Sequence, residues 1–291
     1  MSTSFFSREE ICVGRDVGGW THEVTPEAIA HYGEGTGDRH EWYTGESPFG
    51  GPVAPALLYH SEVYRDLSWY LPNLIGNLHA RQEWELFAPM RVGQRVRTRS
   101  TIVERYRRRN RDYVVNEVLI TDEDGRWLQR SRTHQSFLIE DTGAAIVVDK
   151  DRERRDDRRF EIGSGDGEEL TALTKTATIP MCKAFSGPVP NYHNDREMAR
   201  AWGFPDIVVQ GMMSICFLSE LMTRHFGHGW FCGGKMDLRL VNVLWGEETV
   251  SVRGKIREQL PEGSATRVVV DVWCEKADGT KTVLGTASAV K

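Results

Sequence analysis

Hydrophobic and polar residues alternate along eight segments of the chain, which form two groups of four. The first group lies within residues 80–139 and the second within residues 233–290. Alternation with many β-branched residues predicts strands that bury one face, so each group predicts an antiparallel sheet. Asp-Gly pairs at 124–125 and 278–279 predict tight turns between neighbouring strands.

An apolar segment with helical spacing precedes each group of strands, at residues 52–71 and 208–226. In the second segment, Met213, Cys216 and Phe217 recur at steps of three and four residues, and the apolar residues extend beyond one face. This pattern predicts a helix that is buried on most sides. A polar loop that contains glycine precedes each predicted helix.

The two groups of elements are copies of one unit. Gly37 matches Gly187, Gly93 matches Gly246, and the Asp-Gly pair at 124–125 matches that at 278–279, all at a nearly constant offset. A repeat of domain size indicates duplication of a whole fold. We therefore predict an α+β protein with an N-terminal repeat at 1–140, a charged linker at 141–169 and a C-terminal repeat at 170–291. We expect the two repeats to share one continuous sheet, because neither alone covers its open edge.

Composition excludes several classes of function. The net charge of −5 disfavours nucleic acid and anionic membranes as partners. The 5 cysteines form no CxxC pair, which argues against a zinc site and a disulfide framework. The first residues lack a basic segment followed by an apolar run, and no apolar stretch reaches the roughly 18 residues that span a bilayer. We expect a cytoplasmic protein without a metal.

Several motifs carry a resemblance to a known family. In the second repeat they are SG-x5-H-x-D at 186–195 and VVQGM at 208–212. In the first repeat they are TGD at 36–38 and FGGPVAP at 49–55, followed by EWELFAPMRVGQRV at 83–96. The chain resembles the MaoC-like (R)-specific enoyl-CoA hydratases and dehydratases in their double hotdog form. The resemblance implies two tandem hotdog repeats, each a sheet wrapped around a long central helix.

The same resemblance implies a reaction. These enzymes add or remove water across C2–C3 of an acyl thioester, carried by CoA or a carrier protein, without a cofactor. An Asp and a His five residues apart in the polar loop hold the water and move the proton. A backbone N–H at the start of the central helix, usually beside a Gly, donates to the thioester carbonyl.

This sequence departs from the family pattern in both repeats. The first repeat keeps Asp38 but has Tyr43 at the His position, and the second keeps His193 but has Pro188 at the Asp position. Neither repeat therefore holds a complete Asp/His pair. Before the helix stands Gln210-Gly211 in the second repeat, which we match with residues 54–55 in the first.

The resemblance assigns roles by position, and simpler interpretations stand beside them. His193 is the candidate acid and base, or it orders its loop by a hydrogen bond. Gly211 is the candidate carbonyl donor, or a packing requirement. Gln210 and Asn191 are candidates for orienting water, and a packing role for Gln210 remains open. Asp195 is better explained as a helix N-cap.

Asp38 and Tyr43 belong to the second, pseudosymmetric site. Asp38 is a candidate base there, or it bonds to its own loop, and Tyr43 can donate to a carbonyl but is a poor base. Two other functions remain open: a non-catalytic subunit that binds thioesters, and another thioester reaction such as hydrolysis or cyclisation. No cofactor, nucleic acid or membrane is expected, and self-association is left open.

Overall fold

The computed structural model describes residues 10–67, 77–108, 111–138 and 160–291. The helices are α1 (Pro26–Thr36), α2 (Glu62–Leu67), α3 (Ile179–Ser186), α4 (Arg196–Ala201), α5 (Gly211–Phe226) and α6 (His228–Phe231). The strands of the first half are β1 (Asp16–Gly18), β2 (Thr21–Glu23), β3 (Leu78–Leu86), β4 (Arg95–Arg108), β5 (Arg111–Asp122) and β6 (Trp127–Leu138). Those of the second half are β7 (Leu173–Thr176), β8 (Lys235–Leu240), β9 (Thr249–Glu262), β10 (Ala265–Lys276) and β11 (Lys281–Val290).

All the strands belong to one antiparallel sheet of 11 strands. Its order is β1-β4-β5-β6-β3-β8-β11-β10-β9-β7, and β2 pairs with β4. The order β4-β5-β6-β3 in the first half is mirrored by β9-β10-β11-β8 in the second, so the halves are two copies of one sheet. They join where β3 pairs with β8, with Gln82 opposite Leu238. This arrangement is the predicted α+β double hotdog.

Helix α5 forms the centre of the second half. Its residues from Met212 to Thr223 are all buried, and its side chains contact β9, β10 and β11. The sequence predicted this helix over 208–226, and the first three predicted residues instead form the extended approach to it. The prediction of a helix buried on most sides is confirmed. A helix inside a curved sheet is covered on most sides, which explains why its apolar residues extend beyond one face.

The predicted first helix, at 52–71, is much less regular. Turns occupy residues 56–61 and α2 covers only Glu62–Leu67; residues 68–76 lie outside the described part. The N–H groups of Leu58 and His60 bond to carbonyls three residues earlier rather than four. His60 stacks on Phe185 of the second half, with ring centroids 4.3 Å apart. Tertiary contacts of this kind override helical propensity.

Two helices that the sequence analysis did not identify, α1 and α3, occupy matching places in the two repeats. A threonine side chain caps each N-terminus, Thr25 in the first and Thr178 in the second. Each helix ends at a glycine with positive φ, Gly37 at 67° and Gly187 at 87°. The match between these glycines is therefore confirmed as a match between two helix ends.

The repeat at Gly93 is shifted by one residue from the sequence match. Gly93 has φ 81°, and the second residue with a positive φ at this turn is Glu247, at 66°. Both donate their N–H to an incoming segment, Gly93 to Val24 and Glu247 to Ala177. Gly93 therefore corresponds to Glu247, and the match with Gly246 was wrong by one position. The sequence match was misled because Gly246 stands directly before the turn position Glu247, whereas Gly93 occupies the turn position itself.

The last part of the predicted linker runs along the second half of the sheet. Glu169 forms a bridge with Lys255, and the carbonyl of Glu168 accepts from Ile256 N at 2.9 Å. Residues 141–159 lie outside the described residues, so the bounds of the two repeats stay predictions. Within the described part of the chain, none of the helices is long and apolar enough to cross a membrane.

Candidate active site

The loop that carries His193 is fastened to the segment leading into α5. Val208 N donates to the carbonyl of Tyr192 at 3.1 Å, and His193 Nδ1 lies 2.7 Å from the carbonyl oxygen of Val208. A carbonyl oxygen only accepts, so Nδ1 carries the proton and Nε2 keeps its lone pair. The backbone carbonyl thus holds the imidazole in one tautomer, a task that a carboxylate performs in many His sites.

Burial keeps this imidazole neutral. Loss of solvent lowers the pKa of His193 to about 4, although the bond to Val208 acts in the opposite direction. No acidic side chain takes part in either effect. Its Nε2 is therefore available to accept a proton at neutral pH.

Asn191 orders the loop around His193. Its Oδ1 accepts from His193 N at 2.8 Å, and its Nδ2 donates to the carbonyls of Ser186 and Val189 at 3.2 and 3.0 Å. These bonds engage both polar atoms of the amide within the loop. The water-orienting role that the resemblance suggested for Asn191 is therefore better assigned to Gln210.

Gln210 and Gly211 form the N-terminus of α5. Gln210 is the N-cap residue but makes no side-chain capping bond, and its buried Oε1 has no partner among the described residues. The N–H of Gly211, in the first turn, has no acceptor four residues earlier within the helix. A Cβ at Gly211 would collide with Cδ2 at the end of the Leu240 side chain, so a larger residue there would require Leu240 to move. Among the described residues, the helix start therefore presents a backbone N–H without an acceptor beside an unpaired amide oxygen.

The matching helix start in the first repeat has different residues from those expected. Val53 and Val208 each form a bridge, with Arg91 and Trp245 respectively, and each donates to the residue before Tyr43 or His193. Counting from these bridges, Gln210 corresponds to Pro55 and Gly211 to residue 56. The match with residues 54–55 was wrong by one position. The carbonyl-donor position of the first repeat is therefore Ala56, which also has an N–H, whereas Pro55 lacks the side-chain amide of Gln210.

The first repeat contributes two side chains to the surroundings of Gly211. An ideal Cβ on Gly211 would lie 3.9 Å from His79 Nδ1. Tyr64 Oη is 3.0 Å from that nitrogen, and His79 Nε2 is 3.0 Å from Gln82 Oε1. Because an amide oxygen only accepts, Nε2 is the donor and Tyr64 donates to Nδ1. Burial lowers the pKa of His79 to about 4, so it too is neutral at neutral pH.

Sequence reasoning missed Tyr64 and His79. Strand β3 was predicted, but its alternation does not reveal which strand of the other repeat lies beside it. The resemblance pointed only to loop residues and helix starts. A signal was nevertheless present in the composition of β3. If the two sheets are joined, this strand is central and buried, and His79 and Gln82 are then polar residues at positions where apolar ones are expected.

Asp38 and Tyr43 are brought together, in the first repeat. Tyr43 donates its hydroxyl hydrogen to Asp38 Oδ2 at 2.8 Å, and only 3% of Asp38 is exposed. Burial, and next the negative charge of Glu220, raise the pKa of Asp38 to about 6. Burial also raises the pKa of Tyr43. A phenol thus takes the place of the imidazole and bonds the carboxyl directly.

The Asp38 loop packs against α5 of the second repeat, where three charged side chains contact one another. Glu220 is 1% exposed, forms an ion pair with Lys175 and bonds to Arg224 at 2.7 Å. Lys175 also donates to the carbonyl of Thr36 at 3.2 Å. This cluster holds buried charges in mutual contact, and Pro55 at the position of Gln210 has no amide that could orient water. We therefore place the candidate active site in the second repeat, at His193, Gln210 and Gly211.

Comparisons with known proteins agree with this fold. The family described as FAS1-like, dehydratase domain region, matches residues 12–130. A MaoC-like dehydratase from Phytophthora capsici superposes with a TM-score of 0.71 at 14% identity, over 98% of both chains. A second MaoC-like dehydratase gives 0.70 at 16% identity, over 96% of this chain and 97% of the other.

A Mycobacterium tuberculosis protein described as having a double hotdog fold is a third structural relative. It gives a TM-score of 0.61 at 13% identity, over 97% of this chain and 96% of its own. No curated protein sequence matches the chain significantly. Identities this low establish a shared fold rather than a shared reaction.

Proposed function

We propose, for a chain that has the double hotdog fold of the MaoC-like dehydratases, that it adds or removes water across C2–C3 of an acyl thioester, without a cofactor. The observation that supports this proposal is the bond from His193 Nδ1 to the Val208 carbonyl, 2.7 Å long. It fixes a neutral imidazole against the carbonyl of Val208, which lies three residues before the helix that begins at Gly211. The loop that carries the proton acceptor is thereby held against the segment that carries the carbonyl donor, as hydration requires.

In hydration, the water oxygen attacks C3 while one water proton moves to His193 Nε2. The electron pair of the C2–C3 double bond shifts toward the thioester carbonyl and forms an enolate. The Gly211 N–H and the positive end of the α5 dipole stabilise the enolate oxygen. The imidazolium then returns its proton to C2. Dehydration follows the same steps in reverse, with His193 first taking the proton from C2.

Gln210 holds the water in this scheme. Its buried, unpaired Oε1 accepts a hydrogen bond from the second O–H of the water, which stays intact, and so aims the water oxygen at C3. The role that the family gives to an Asp is thereby filled by a neutral amide oxygen. Because no carboxylate assists, we expect catalysis to depend mainly on His193 and on the alignment of the bound water.

The test is hydration of crotonyl-CoA and of a bulkier enoyl-CoA, followed by loss of the conjugated-thioester absorbance. We expect His193→Ala to lower kcat/KM by on the order of 10²-fold or more. His31→Ala, at an exposed position on α1, is the matched control and should retain the wild-type rate.

Other outcomes identify other functions. A wild-type protein that binds acyl-CoA but hydrates neither substrate is a thioester-binding subunit, and the proposed reaction is then wrong. Release of free CoA, detected with a thiol reagent, would instead identify hydrolysis. Acyl-CoA and acyl-carrier thioesters share the reacting group, so both belong in the substrate panel.

A further inference from the structure

The inner faces of the two half-sheets differ in polarity at matching positions, and this difference bears on the substrate of the proposed reaction. The match follows from strand pairing: Asn116 lies opposite Thr133 in the first half, and Val270 lies opposite Ala287 in the second. Five inner positions of the first half are polar and at most 2% exposed: Gln82, Asn116, Gln129, Thr133 and Gln135. The corresponding residues of the second half are all apolar: Met236, Val270, Val283, Ala287 and Ala289.

Internal hydrogen bonding accounts for only part of this polar face. Both amide atoms of Gln129 are buried and have no partner among the residues that the structure describes, and the buried amide of Gln135 interacts there only with Tyr64. An unpaired buried amide destabilises a folded protein, and a hydrophobic residue of similar size does not. The second repeat demonstrates that the same fold accepts Val283 and Ala289 at these positions. Polar residues that lower stability, in a fold that does not require them, point to a ligand.

The polar face begins beside the candidate active site. His79 lies opposite Gln135 in the pairing of β3 with β6. Its Nε2 bonds to Gln82 Oε1, which also accepts from Thr133 Oγ1 at 2.8 Å. Nδ1 of the same imidazole faces Gly211, at 3.9 Å from an ideal Cβ there. A continuous series of polar groups therefore leads from the carbonyl donor to the buried amides.

We propose that this polar face is a wall of the acyl-binding chamber, and that the acyl group carries a hydroxyl or oxo oxygen beyond C3. The proposal rests on the function proposed above, because it concerns the binding site for the acyl group of the same thioester substrate. Each amide can both donate and accept, which suits a hydroxyl or a carbonyl. The five polar residues of the face carry no charge, so a neutral oxygen fits better than a carboxylate.

Binding of saturated acyl-CoAs tests the chamber without involving the reaction, since they have no double bond to hydrate. The probes are hexanoyl-CoA and its derivatives with an oxo or hydroxyl group at C4, C5 or C6. We expect the best oxygenated derivative to bind about tenfold more tightly or better, measured by titration calorimetry. Gln135→Leu and Gln129→Leu should reduce that ratio toward one, and Gln259→Leu, at an exposed strand position, should not.

Thermal unfolding of the same variants provides a second readout. If the amides serve a ligand, Gln129→Leu should unfold at the same or a higher temperature than the wild type, because it removes an unpaired buried amide. If hexanoyl-CoA binds as tightly as every oxygenated derivative, the proposal is overturned. Marked destabilisation by both Leu variants, with an unchanged binding ratio, would also overturn it and assign the amides to folding.

Hydration of the matching 2-enoyl-CoAs distinguishes this proposal from the function on which it rests. Preference for oxygenated acyl groups without hydration of any of them would contradict the reaction and support the chamber. Hydration of plain and oxygenated substrates at equal kcat/KM, with equal affinities, would support the reaction and contradict the proposed chamber.

Discussion

At the scale of single residues, each repeat holds one member of the Asp/His pair that the resemblance implies, and each of these residues has a different partner. In the second repeat the Val208 carbonyl orients the imidazole of His193. In the first repeat Tyr43 bonds Asp38 directly, and buried ionic groups surround the pair. The two arrangements thus leave one proton acceptor in the second repeat and a buried acidic pair in the first.

The pH dependence of hydration follows from the environment of His193. Burial lowers its pKa to about 4, so the imidazole stays neutral and able to accept a proton at every pH well above that value. We expect kcat/KM for hydration to be constant from about pH 5.5 to 8 and to fall only near pH 4. Initial rates across this range, with circular dichroism to confirm folding, are the measurement. An acidic limb near the ordinary His pKa of about 6.5 would contradict the assignment.

Asp38 makes the stability of the protein depend on pH. Burial raises its pKa to about 6, against 3.8 as the ordinary value, so the folded state holds the proton more tightly than the unfolded state. The free energy of unfolding should therefore decrease as pH rises from about 4 to about 6, by roughly 2–3 kcal/mol from this group. Asp38→Asn keeps an acceptor for Tyr43 and removes the titration.

Urea unfolding of the wild type and Asp38→Asn at pH 4.5 and pH 7 measures this effect. The variant should gain stability relative to the wild type at the higher pH, since the wild type then carries a buried charge. Asp16→Asn, at an exposed carboxylate on β1, is the matched control. An equal change in the free energy of unfolding for all three proteins between the two pH values would contradict the prediction.

At the scale of elements, the sequence predicted most of what depends on local pattern. The eight long strands and α5 were found because alternation and helical spacing persist over many residues. The helix at 52–71 was overestimated, since contacts such as His60 on Phe185 are not visible in local periodicity. The one-residue shift at Gly93 was missed because Glu247 adopts a backbone conformation that usually signals glycine.

The candidate site was predicted in part for the same reason. His193, Gln210 and Gly211 were identified from the loop and the helix start, which are neighbours along the chain. Tyr64 and His79 were missed, because the pairing of β3 with β8 brings His79 to that helix start, and Tyr64 reaches it through its bond with His79. Long-range pairing is decided by the packing of the whole sheet, and a single sequence does not reveal it.

Helix α4 permits a test that separates a capping role from catalysis beside the His193 loop. Asp195 was predicted as an N-cap, and this is confirmed: its side chain accepts from Glu197 N at 3.0 Å and from Met198 N at 2.9 Å. We expect Asp195→Ala to lower the free energy of unfolding by about 1 kcal/mol and Asp195→Asn to have little effect. Both should hydrate substrate at close to the wild-type kcat. If Asp195→Asn loses as much activity as His193→Ala, Asp195 has a chemical role.

At the scale of the whole molecule, each repeat completes the other. The Asp38 loop of the first repeat packs against Glu220 on α5, and the start of α5 faces His79 of the first repeat. The two half-sheets join at β3 and β8, where Arg81 forms two hydrogen bonds of 2.6 Å with Asp237. The candidate site therefore contains residues from both repeats, although its acid and base come from one.

This asymmetry predicts a single binding site for acyl-CoA in each chain. In the first repeat, Tyr43 stands in place of the imidazole, Pro55 stands in place of Gln210, and the charges of Glu220 and Lys175 act on the buried Asp38. Titration calorimetry with a tight-binding acyl-CoA should therefore give a stoichiometry of about one. Tyr43→Phe should leave kcat and KM for hydration within about twofold of the wild type, while it lowers stability by about 1 kcal/mol through the lost bond to Asp38.

Two different results would contradict this prediction, and each would assign a different role to the first repeat. A stoichiometry of two with an unchanged rate in Tyr43→Phe would mean that the first repeat binds thioesters without acting on them. A rate loss in Tyr43→Phe comparable with that of His193→Ala would place chemistry in the first repeat. Because a phenol is a poor proton acceptor near neutral pH, that chemistry would require Asp38 as the base, and the rate would then follow its raised pKa of about 6 rather than that of His193.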